Sequence, residues 1–268
     1  MENFQDKTVV ITGGGSGIGR AFARRFGEEG ARLVLADVNE SELAEASAEL
    51  TAAGRDVVTK VCDVSDVAQV EQLADEVWSS HGRADVLFNN AGIATARGPA
   101  IETDPKEMAH IFGVNLFGVW NGVSVFGKRF LAEEQPSLIL NTGSENSFFI
   151  ATPQSWPYVA TKHAVWAMTE SLREEVPDHI GVGLVIPGFV NTPLVPVDAG
   201  MDADEFTEIA MPQIKAGEFY IVTHSYNAVK IEERMSEIRE AYARYAPRHE
   251  GDQALDVRTL LARRAVQS

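Results

Sequence analysis

The sequence predicts an α/β fold, in which a doubly wound, parallel, seven-stranded sheet carries helices on both faces. Short apolar runs alternate with amphipathic stretches along most of the chain, in the order strand, helix, strand. The apolar runs are continuous in Val, Ile and Leu, which is typical of parallel strands covered on both sides. Because crossovers between parallel strands are right-handed, the alternation produces one layered sheet between two layers of helices.

The elements follow in chain order. Strands are predicted at Thr8–Thr12, Leu33–Ala36, Val57–Val61, Val86–Phe88, Leu138–Leu140, Val182–Ile186 and Phe219–Val222. Helices are predicted at Gly17–Gly30, at Ser41–Ala53, from a cap at Ser65 to about His81, from Pro105 to a break near Gly113, from there to about Glu134, and at Pro157–Val176, Ala203–Ala216, Asn227–Tyr245 and Ala254–Ala265. Glycine after a helix and proline in its first turn are ordinary stop and start signals, as at Gly54 and Pro157.

Composition narrows the function before any motif is considered. The chain has 268 residues and a formal charge of −16, so its surface should repel nucleic acids and anionic membranes. Cys62 is the only cysteine, which excludes an internal disulfide and a cysteine zinc cage. No basic leader and no run of about 18 apolar residues is evident, so we expect a soluble cytoplasmic protein. We expect one catalytic domain over residues 1–226, with a short substrate lid at 193–217, and a helical extension of it over 227–268.

A glycine-rich loop stands between the first strand and the first helix. It reads Thr12-Gly-Gly-Gly-Ser-Gly-Ile-Gly19. Glycine lets the backbone turn sharply and approach a ligand, and a helix N-terminus offers N–H groups and a positive dipole end to a pyrophosphate. A Gly-rich turn without a ligand is the alternative. The position between strand and helix favours a dinucleotide site.

An acidic residue ends each of the next two strands. Asp37 lies eighteen positions after Gly19, where a carboxylate can accept hydrogen bonds from the adenosine ribose. It would repel a 2′-phosphate, and its neighbours carry no positive charge, so we expect NAD rather than NADP. Asp63, beside Val64, could meet the adenine amino group. The alternative for both acids is an ordinary residue at the start of a helix.

A group of polar residues further along the chain has the chemistry of an acid/base site. Tyr158 and Lys162 share one helix face, and an ammonium beside a phenol should lower the pKa of the tyrosine. Ser144, at the end of the fifth strand, could bond the reacting oxygen, with Ser147 as a weaker candidate. Asn115, a poor helix former inside a long helix, could hold a water that leads from Lys162 to solvent. Each of these interpretations has an alternative. Tyr158 and Lys162 could be two surface residues at helical spacing, Ser144 could be a capping serine, and Asn115 could mark a local kink.

Taken together, these motifs resemble the short-chain dehydrogenase/reductase family, a group with the Rossmann fold. The resemblance covers about Asp6 to Leu194 and rests on TGGGSGIG, Asp37, Asp63-Val64, NNAG at 89–92, Asn115, Ser144, YVATK at 158–162 and PGFVNT at 187–192. It implies the catalytic set Asn115, Ser144, Tyr158 and Lys162. It also implies a cofactor site built from Gly13, Ser16, Gly17, Ile18, Gly19, Asp37, Asp63, Val64, Asn90, Ala91, Gly92, Tyr158, Lys162, Pro187, Gly188, Val190 and Thr192.

The activity expected from this resemblance is hydride transfer between NAD(H) and a secondary alcohol or ketone. The short lid and an apolar set of candidate walls favour a bulky, hydrophobic or aromatic substrate. Those walls are Ile93, Phe148, Phe149, Trp156, Phe189, Leu194, Val195 and Met201, with core packing as the alternative for each. Rival functions are a 3-oxoacyl thioester reductase and a catalytically silent dinucleotide-binding protein. The resemblance further implies a homodimer or homotetramer.

Overall fold

The fold is a seven-stranded parallel sheet between two layers of helices, as the sequence predicts. The computed structural model describes Met1 and residues 3–94, 97–194 and 199–265. The strands are β1 Thr8–Thr12, β2 Arg32–Asp37, β3 Val57–Val61, β4 Val86–Asn89, β5 Ser137–Thr142, β6 Ile180–Ile186 and β7 Tyr220–Val222. Their order in the sheet is β3-β2-β1-β4-β5-β6-β7, with every neighbouring pair parallel. The order reverses beside β1, which opens a crevice at the carboxyl ends of β1 and β4.

The helices cover both faces of the sheet. They are α1 Gly17–Glu28, α2 Glu40–Ala52, α3 Val67–His81, α4 Pro105–Phe112, α5 Gly118–Glu133, α6 Trp156–Glu175 and α7 Ala203–Ala216. Helices α1, α2 and α7 bury side chains such as Phe22, Leu43 and Phe206 against one face. Helices α3, α5 and α6 bury residues such as Val70 and Phe126 against the other. The sheet is therefore covered on both sides, which explains the continuous apolar content of its strands.

Two details of the helices differ from the prediction. Helix α3 is capped by Asp66, whose carboxylate accepts the Ala68 N–H at 3.0 Å, and not by Ser65. The Ser65 hydroxyl instead donates to Asp63 at 2.7 Å. The helix from Pro105 does not break at Gly113, because a π-helical turn over Gly113–Phe117 joins α4 to α5.

The continuous helix Pro105–Glu133 also corrects the expectation about apolar stretches. It is long and apolar enough to meet a length-and-composition criterion for a membrane span. Buried helices of globular domains meet the same criterion, and Val119, Phe126 and Phe130 of this helix pack in the core beside the sheet. Its apolar character therefore follows from its place in the fold.

The chain divides into two compact units. The first, Met1–Ser225, holds the sheet and α1 to α7. The second begins at Tyr226 and contains α8 Asn227–Tyr245, a 3-10 turn at Asp252–Leu255 and α9 Val257–Ala265. Neither α8 nor α9 contains a buried residue.

Two glycines of α5 give a test of how tightly this helix packs. A Cβ on Gly122 would lie 2.1 Å from Asn89 Oδ1, whereas a Cβ on Gly127 would meet only Ile139 Cδ1 at 3.9 Å. We expect Gly122→Ala to destabilise the protein by about 1–3 kcal/mol through overpacking. Gly127→Ala, the matched control, should stabilise it by roughly 0.5–1 kcal/mol through helix propensity. Urea unfolding measures both values, and a neutral Gly122→Ala variant would contradict the packing described here.

Candidate active site

A cleft of about 500 Å³ lies at the carboxyl ends of the strands. It collects most of the residues that the motifs single out. Its lining includes Gly13, Ser16, Gly17, Ile18, Asp37, Asp63, Val64, Asn90, Ala91, Gly92, Ser144, Tyr158, Lys162, Pro187, Gly188, Val190 and Thr192. Gly19 lies behind this surface, where a Cβ would come within 2.0 Å of the Gly13 carbonyl oxygen. Gly19 therefore allows α1 to approach the loop, and does not itself line the cleft.

The glycine loop forms one end of the cleft. Gly13 and Gly17 have φ angles of +63° and +50°, which favour glycine. A Cβ on Gly13 would lie 2.8 Å from Ala91 Cα, so the loop and the segment after β4 approach each other directly. Helix α1 starts at Gly17, and the Ser16 side chain makes no capping hydrogen bond there. Since Ser16, Gly17 and Ile18 line the cleft, the start of α1 offers N–H groups without a side-chain cap to an anion bound there.

The segment after β4 is fixed to the glycine loop by hydrogen bonds. The N–H groups of Asn90 and Ala91 both donate to Thr12 Oγ1, at 3.0 and 3.1 Å. Asn90 Nδ2 donates to the Gly13 carbonyl oxygen at 3.2 Å. One threonine hydroxyl thus ties the segment after β4 to the end of β1, where the glycine loop begins.

Both acids that end strands line the cleft. Asp37 accepts N–H groups of Gly15 at 3.1 Å and Asn39 at 3.0 Å. Each carboxylate oxygen has two lone pairs, so these bonds leave acceptor capacity for ribose hydroxyls. Asp63 accepts the Ser65 N–H at 2.9 Å, which makes it part of the turn before α3 as well as of the cleft wall. The glycine loop, the start of α1 and Asp37 together fit the dinucleotide that the motifs imply.

Ser144, Tyr158 and Lys162 meet at the other end of the cleft. The Ser144 hydroxyl lies close to the Tyr158 phenol and favours its ionised form, which lowers the phenol pKa. Lys162 Nζ donates to the carbonyl oxygen of Thr142 at 2.8 Å and lies 5.6 Å from the centre of the Tyr158 ring. Ser144 and Lys162 are buried. One end of β5 and one face of α6 thus place a hydroxyl, a phenol and an amine together.

The pKa shifts at this site correct one expectation. Burial raises the pKa of Tyr158, the hydrogen bond from Ser144 opposes that rise, and the negative charge of Glu145 adds to it. The prediction that Lys162 gives Tyr158 a lowered pKa is therefore wrong, because the pKa of Tyr158 is raised and Lys162 is not among the causes of its shift. Burial lowers the pKa of Lys162 to about 8, so its ammonium is only moderately stable near neutral pH.

Asn115 is fully buried in the π-helical turn, beside the site but outside the cleft lining. Its side chain pairs with the backbone of Ile93, accepting the N–H at 2.8 Å and donating to the carbonyl oxygen at 2.9 Å. Nδ2 also donates to Thr161 Oγ1 at 3.4 Å. Asn115 therefore fastens the loop after β4 to α6, and its predicted part in a proton relay stays a prediction.

Two neighbours of Ser144 hold its loop in place. Ser147 Oγ accepts the Ser144 N–H at 3.2 Å and donates to the Lys162 carbonyl oxygen at 2.8 Å. Its hydroxyl is thus committed to the backbone, so Ser147 is no substitute for Ser144. Asn146 Oδ1 accepts the N–H groups of Ala151 and Thr152, at 3.0 and 3.1 Å. Sequence reasoning missed this role of Asn146, because the signal lies only in the folded turn.

Most of the predicted apolar walls lie elsewhere. Ile93 and Leu194 line the cleft, whereas Phe148, Phe149, Trp156, Phe189 and Met201 do not, and Val195 lies outside the described residues. Phe148 packs edge-on against Trp166 at 4.7 Å between ring centres. Trp156 donates to Thr103 at 2.7 Å, and Met201 packs on the core. The prediction of these five residues as walls rests on their closeness in sequence to other site residues. Closeness in sequence does not decide the direction of a side chain.

The lid and the lining each differ from expectation. Helix α7, which the sequence assigns to the lid, packs in the core, and Phe206 contacts Phe22 of α1 at 6.0 Å between ring centres. Among the described residues of the predicted lid, Pro193 and Leu194 line the cleft. His110 and Val114 also line it, and no motif marks them. The predicted helix break near Gly113 is the sequence signal that could have pointed to them, since Gly113 lies between His110 and Val114 and begins the π-helical turn.

The chain belongs to the short-chain dehydrogenase family, whose model matches residues 7–200. It is 38% identical over 195 residues to a probable oxidoreductase, EphD, of Mycobacterium tuberculosis, covering 72% of this chain but only 32% of that protein. It is 32% identical over 253 residues to 1-deoxy-11-beta-hydroxypentalenate dehydrogenase of Streptomyces avermitilis, covering 90% and 93% of the two chains.

The fold is shared with solved members of this family. A short-chain dehydrogenase/reductase from Burkholderia phymatum, solved in complex with NAD, superposes with a TM-score of 0.85 at 33% identity. The match covers 90% of this chain and 97% of that one. This agreement confirms both the predicted family and the predicted Rossmann fold.

The buried ammonium predicts a pH-dependent stability. The pKa of Lys162 is lowered from 10.5 to about 8 in the folded protein, so the unfolded chain binds more protons between these values. We expect the free energy of unfolding of the wild type, relative to Lys162→Met, to rise with pH from about 8 to 10.5, by up to about 1.4 kcal/mol per pH unit.

Urea unfolding at several pH values measures this difference. Lys128→Met, at an exposed position of α5, is the matched control and should give a flat difference. A flat difference for Lys162→Met as well would show that its ammonium is not desolvated.

Proposed function

We propose that this protein is an NAD(H)-linked oxidoreductase that interconverts a secondary alcohol and a ketone. The observation that carries the proposal is the meeting of Ser144, Tyr158 and Lys162 at one end of a cleft whose other end is a glycine loop and Asp37. An acid/base group and a dinucleotide cradle in one cleft are the two parts that such a reaction needs.

Each residue has a distinct role in this proposal. When bound, NAD(H) supplies or accepts the hydride, and its oxidised ring adds a positive charge. Tyr158 gives a proton to the carbonyl oxygen in reduction and takes one from the alcohol in oxidation. Ser144 donates a second hydrogen bond to that oxygen. Lys162 keeps two further N–H donors beyond its bond to Thr142, and these suit ribose hydroxyls in the cleft.

We propose that the protons lost or gained by Tyr158 exchange with solvent along α6. Asn115 supports this path by fixing Ile93 and Thr161 at the positions described above. It is a positioning residue in this scheme, since its amide pairs with the backbone of Ile93 and bonds Thr161.

The cleft supports NAD over NADP. The Asp37 carboxylate faces the place where the adenosine ribose would lie, and a 2′-phosphate there would meet a second negative charge. Asp63 and Val64 lie further along the same wall and suit the adenine. No Arg or Lys other than Lys162 is among the described residues that line the cleft.

We propose an apolar substrate with a secondary hydroxyl or keto group. Ile93 and Leu194 add apolar side chains to the described lining of the cleft that holds Ser144 and Tyr158. A relative named for a hydroxypentalenate agrees with a hydroxyl on a larger carbon skeleton. Because five of the predicted walls lie elsewhere, the support for an aromatic substrate is weaker than the support for an apolar one.

We further propose that the protein acts as a cytoplasmic homo-oligomer. Phe117 and Trp120 are exposed by 54% and 52% in a helix segment whose other face is in the core. Apolar side chains of this size gain free energy when a second surface covers them.

Replacing the phenol tests the proposed acid/base. Tyr158→Phe should lower kcat by roughly 10²–10⁴, because the group that passes the proton is gone. NADH binding, measured by fluorescence titration, should change little. Tyr226→Phe, at a tyrosine that is 65% exposed, is the matched control and should keep full turnover. Full activity of Tyr158→Phe would refute the assignment.

Removing one charge tests the cofactor preference. Asp37→Asn should lower the ratio of kcat/KM with NADH to kcat/KM with NADPH by about tenfold or more. The substitution removes the repulsion between the Asp37 carboxylate and the 2′-phosphate of NADPH, and a tenfold change corresponds to about 1.4 kcal/mol. Asp56→Asn, an exposed acid outside the cleft, should leave the ratio unchanged. A wild-type preference for NADPH would overturn the role given to Asp37.

A further inference from the structure

Helix α8 presents an apolar stripe to its surroundings. Ile231, Met235, Ile238, Tyr242 and Tyr245 follow one another at steps of four, three, four and three residues. Met235 is 39% exposed, Ile238 41%, Tyr242 66% and Tyr245 79%. Steps that alternate between three and four place side chains on one line along a helix, as in the seam of a coiled coil. We call these five residues the α8 seam.

We expect the α8 seam to pack against another surface, because the helix depends on such packing for its stability. A free helix of α8's 19 residues is only marginally stable in water, and most helices are stabilised by packing of their apolar face. Helix α8 contains no buried residue. Outside the seam it is rich in charge, with four acidic and four basic residues that cancel. Because the net charge of α8 is zero, the helix has no preference for a strongly charged partner surface. A partner that also carries both signs of charge can pair with it.

The flanking charges decide which partner and which direction. Glu232 and Arg239 lie on one side of the seam, one heptad apart, and Arg234 lies on the other side. Arg239 pairs with Glu232 of its own helix at 3.0 Å. When two copies of α8 lie antiparallel, each Glu232 also stands beside Arg239 of the second copy, so that the four charges alternate in sign. When they lie parallel, Arg234 stands beside Arg239 of the second copy, and like charges repel.

We propose that α8 pairs with α8 of a second copy of this chain as an antiparallel coiled coil. In the register set by the charges, Met235 packs opposite Ile238 of the second copy, and Ile231 opposite Tyr242. The contact belongs to the C-terminal unit, so it does not depend on the reaction assigned to the cleft.

Cysteine trapping in the full-length chain tests the direction and the register. We would mix Ile231→Cys with Tyr242→Cys and oxidise the mixture. Cys62 is buried and its thiol pKa is raised to about 11, so it does not compete. The two new thiols lie opposite each other in the proposed pair. Identical positions would lie about 16 Å apart along the axis, beyond the reach of a disulfide.

The expected result is a heterodisulfide dimer in the mixture and almost none in either variant alone. Pairing raises the local thiol concentration to about the millimolar range, so the yield should exceed that of a control pair by about tenfold or more. The control mixes Glu233→Cys with Glu240→Cys, at exposed positions on the opposite face of α8. A disulfide in Tyr242→Cys alone would indicate a parallel pair and overturn the proposal. Equal yields in the two mixtures would also overturn it.

A charge exchange gives a second measurement that does not alter the seam. E232R alone and R239E alone should each weaken association in sedimentation experiments, since each puts like charges together. Mixing the two variants should restore association through mixed pairs, although the charges within each helix still repel. Tighter association of R239E alone would indicate the parallel pair, and no recovery on mixing would show that another surface covers the seam.

Discussion

A buried ammonium bonded to the last carbonyl of a central strand is the contact on which this site depends. Lys162 Nζ reaches Thr142 at the end of β5, and this bond fixes α6 above the sheet edge. Tyr158, one turn earlier on α6, is thereby held over Ser144, which follows β5. Desolvation disfavours the ammonium, and it lowers the pKa of Lys162 to about 8. The charge that would serve the reaction thus also positions the helix that carries the phenol.

Polar side chains tie the other loops to the sheet in the same way. Parallel strands end with backbone groups that have no strand partner, and here threonine and asparagine side chains supply it. Thr12 holds Asn90 and Ala91, and Asn115 holds Ile93. Asn89 and Asn141 bond each other at 2.9 Å between two strands. Hydrogen bonds between neighbouring elements therefore hold the wall of the cleft together.

The two ends of the cleft are built differently. The dinucleotide end consists of glycine backbone and strand termini, which the sheet register fixes. At the other end, Ser144, Tyr158 and Lys162 stand on or beside β5 and α6, and loop residues such as Ile93 and Leu194 complete the described lining. Helix α7 belongs to the core. In the function proposed above, the choice of substrate therefore depends on loop residues.

The sequence by itself determined the sheet, the order of its elements and most of the glycine and polar residues that line the cleft. Strand runs without alternation, a glycine loop at a strand end and a Tyr–Lys pair at helical spacing are local patterns, and local patterns are fixed by backbone geometry. It did not determine the directions of Phe148 and Trp156, the π-helical turn around Asn115, the core position of α7 or the pKa of Tyr158. Each of these is set by groups far away in the chain, since packing against Trp166, bonds to Ile93 and burial exist only after folding. Spacing along a chain says which residues share a face, and only the packed neighbours decide what that face meets.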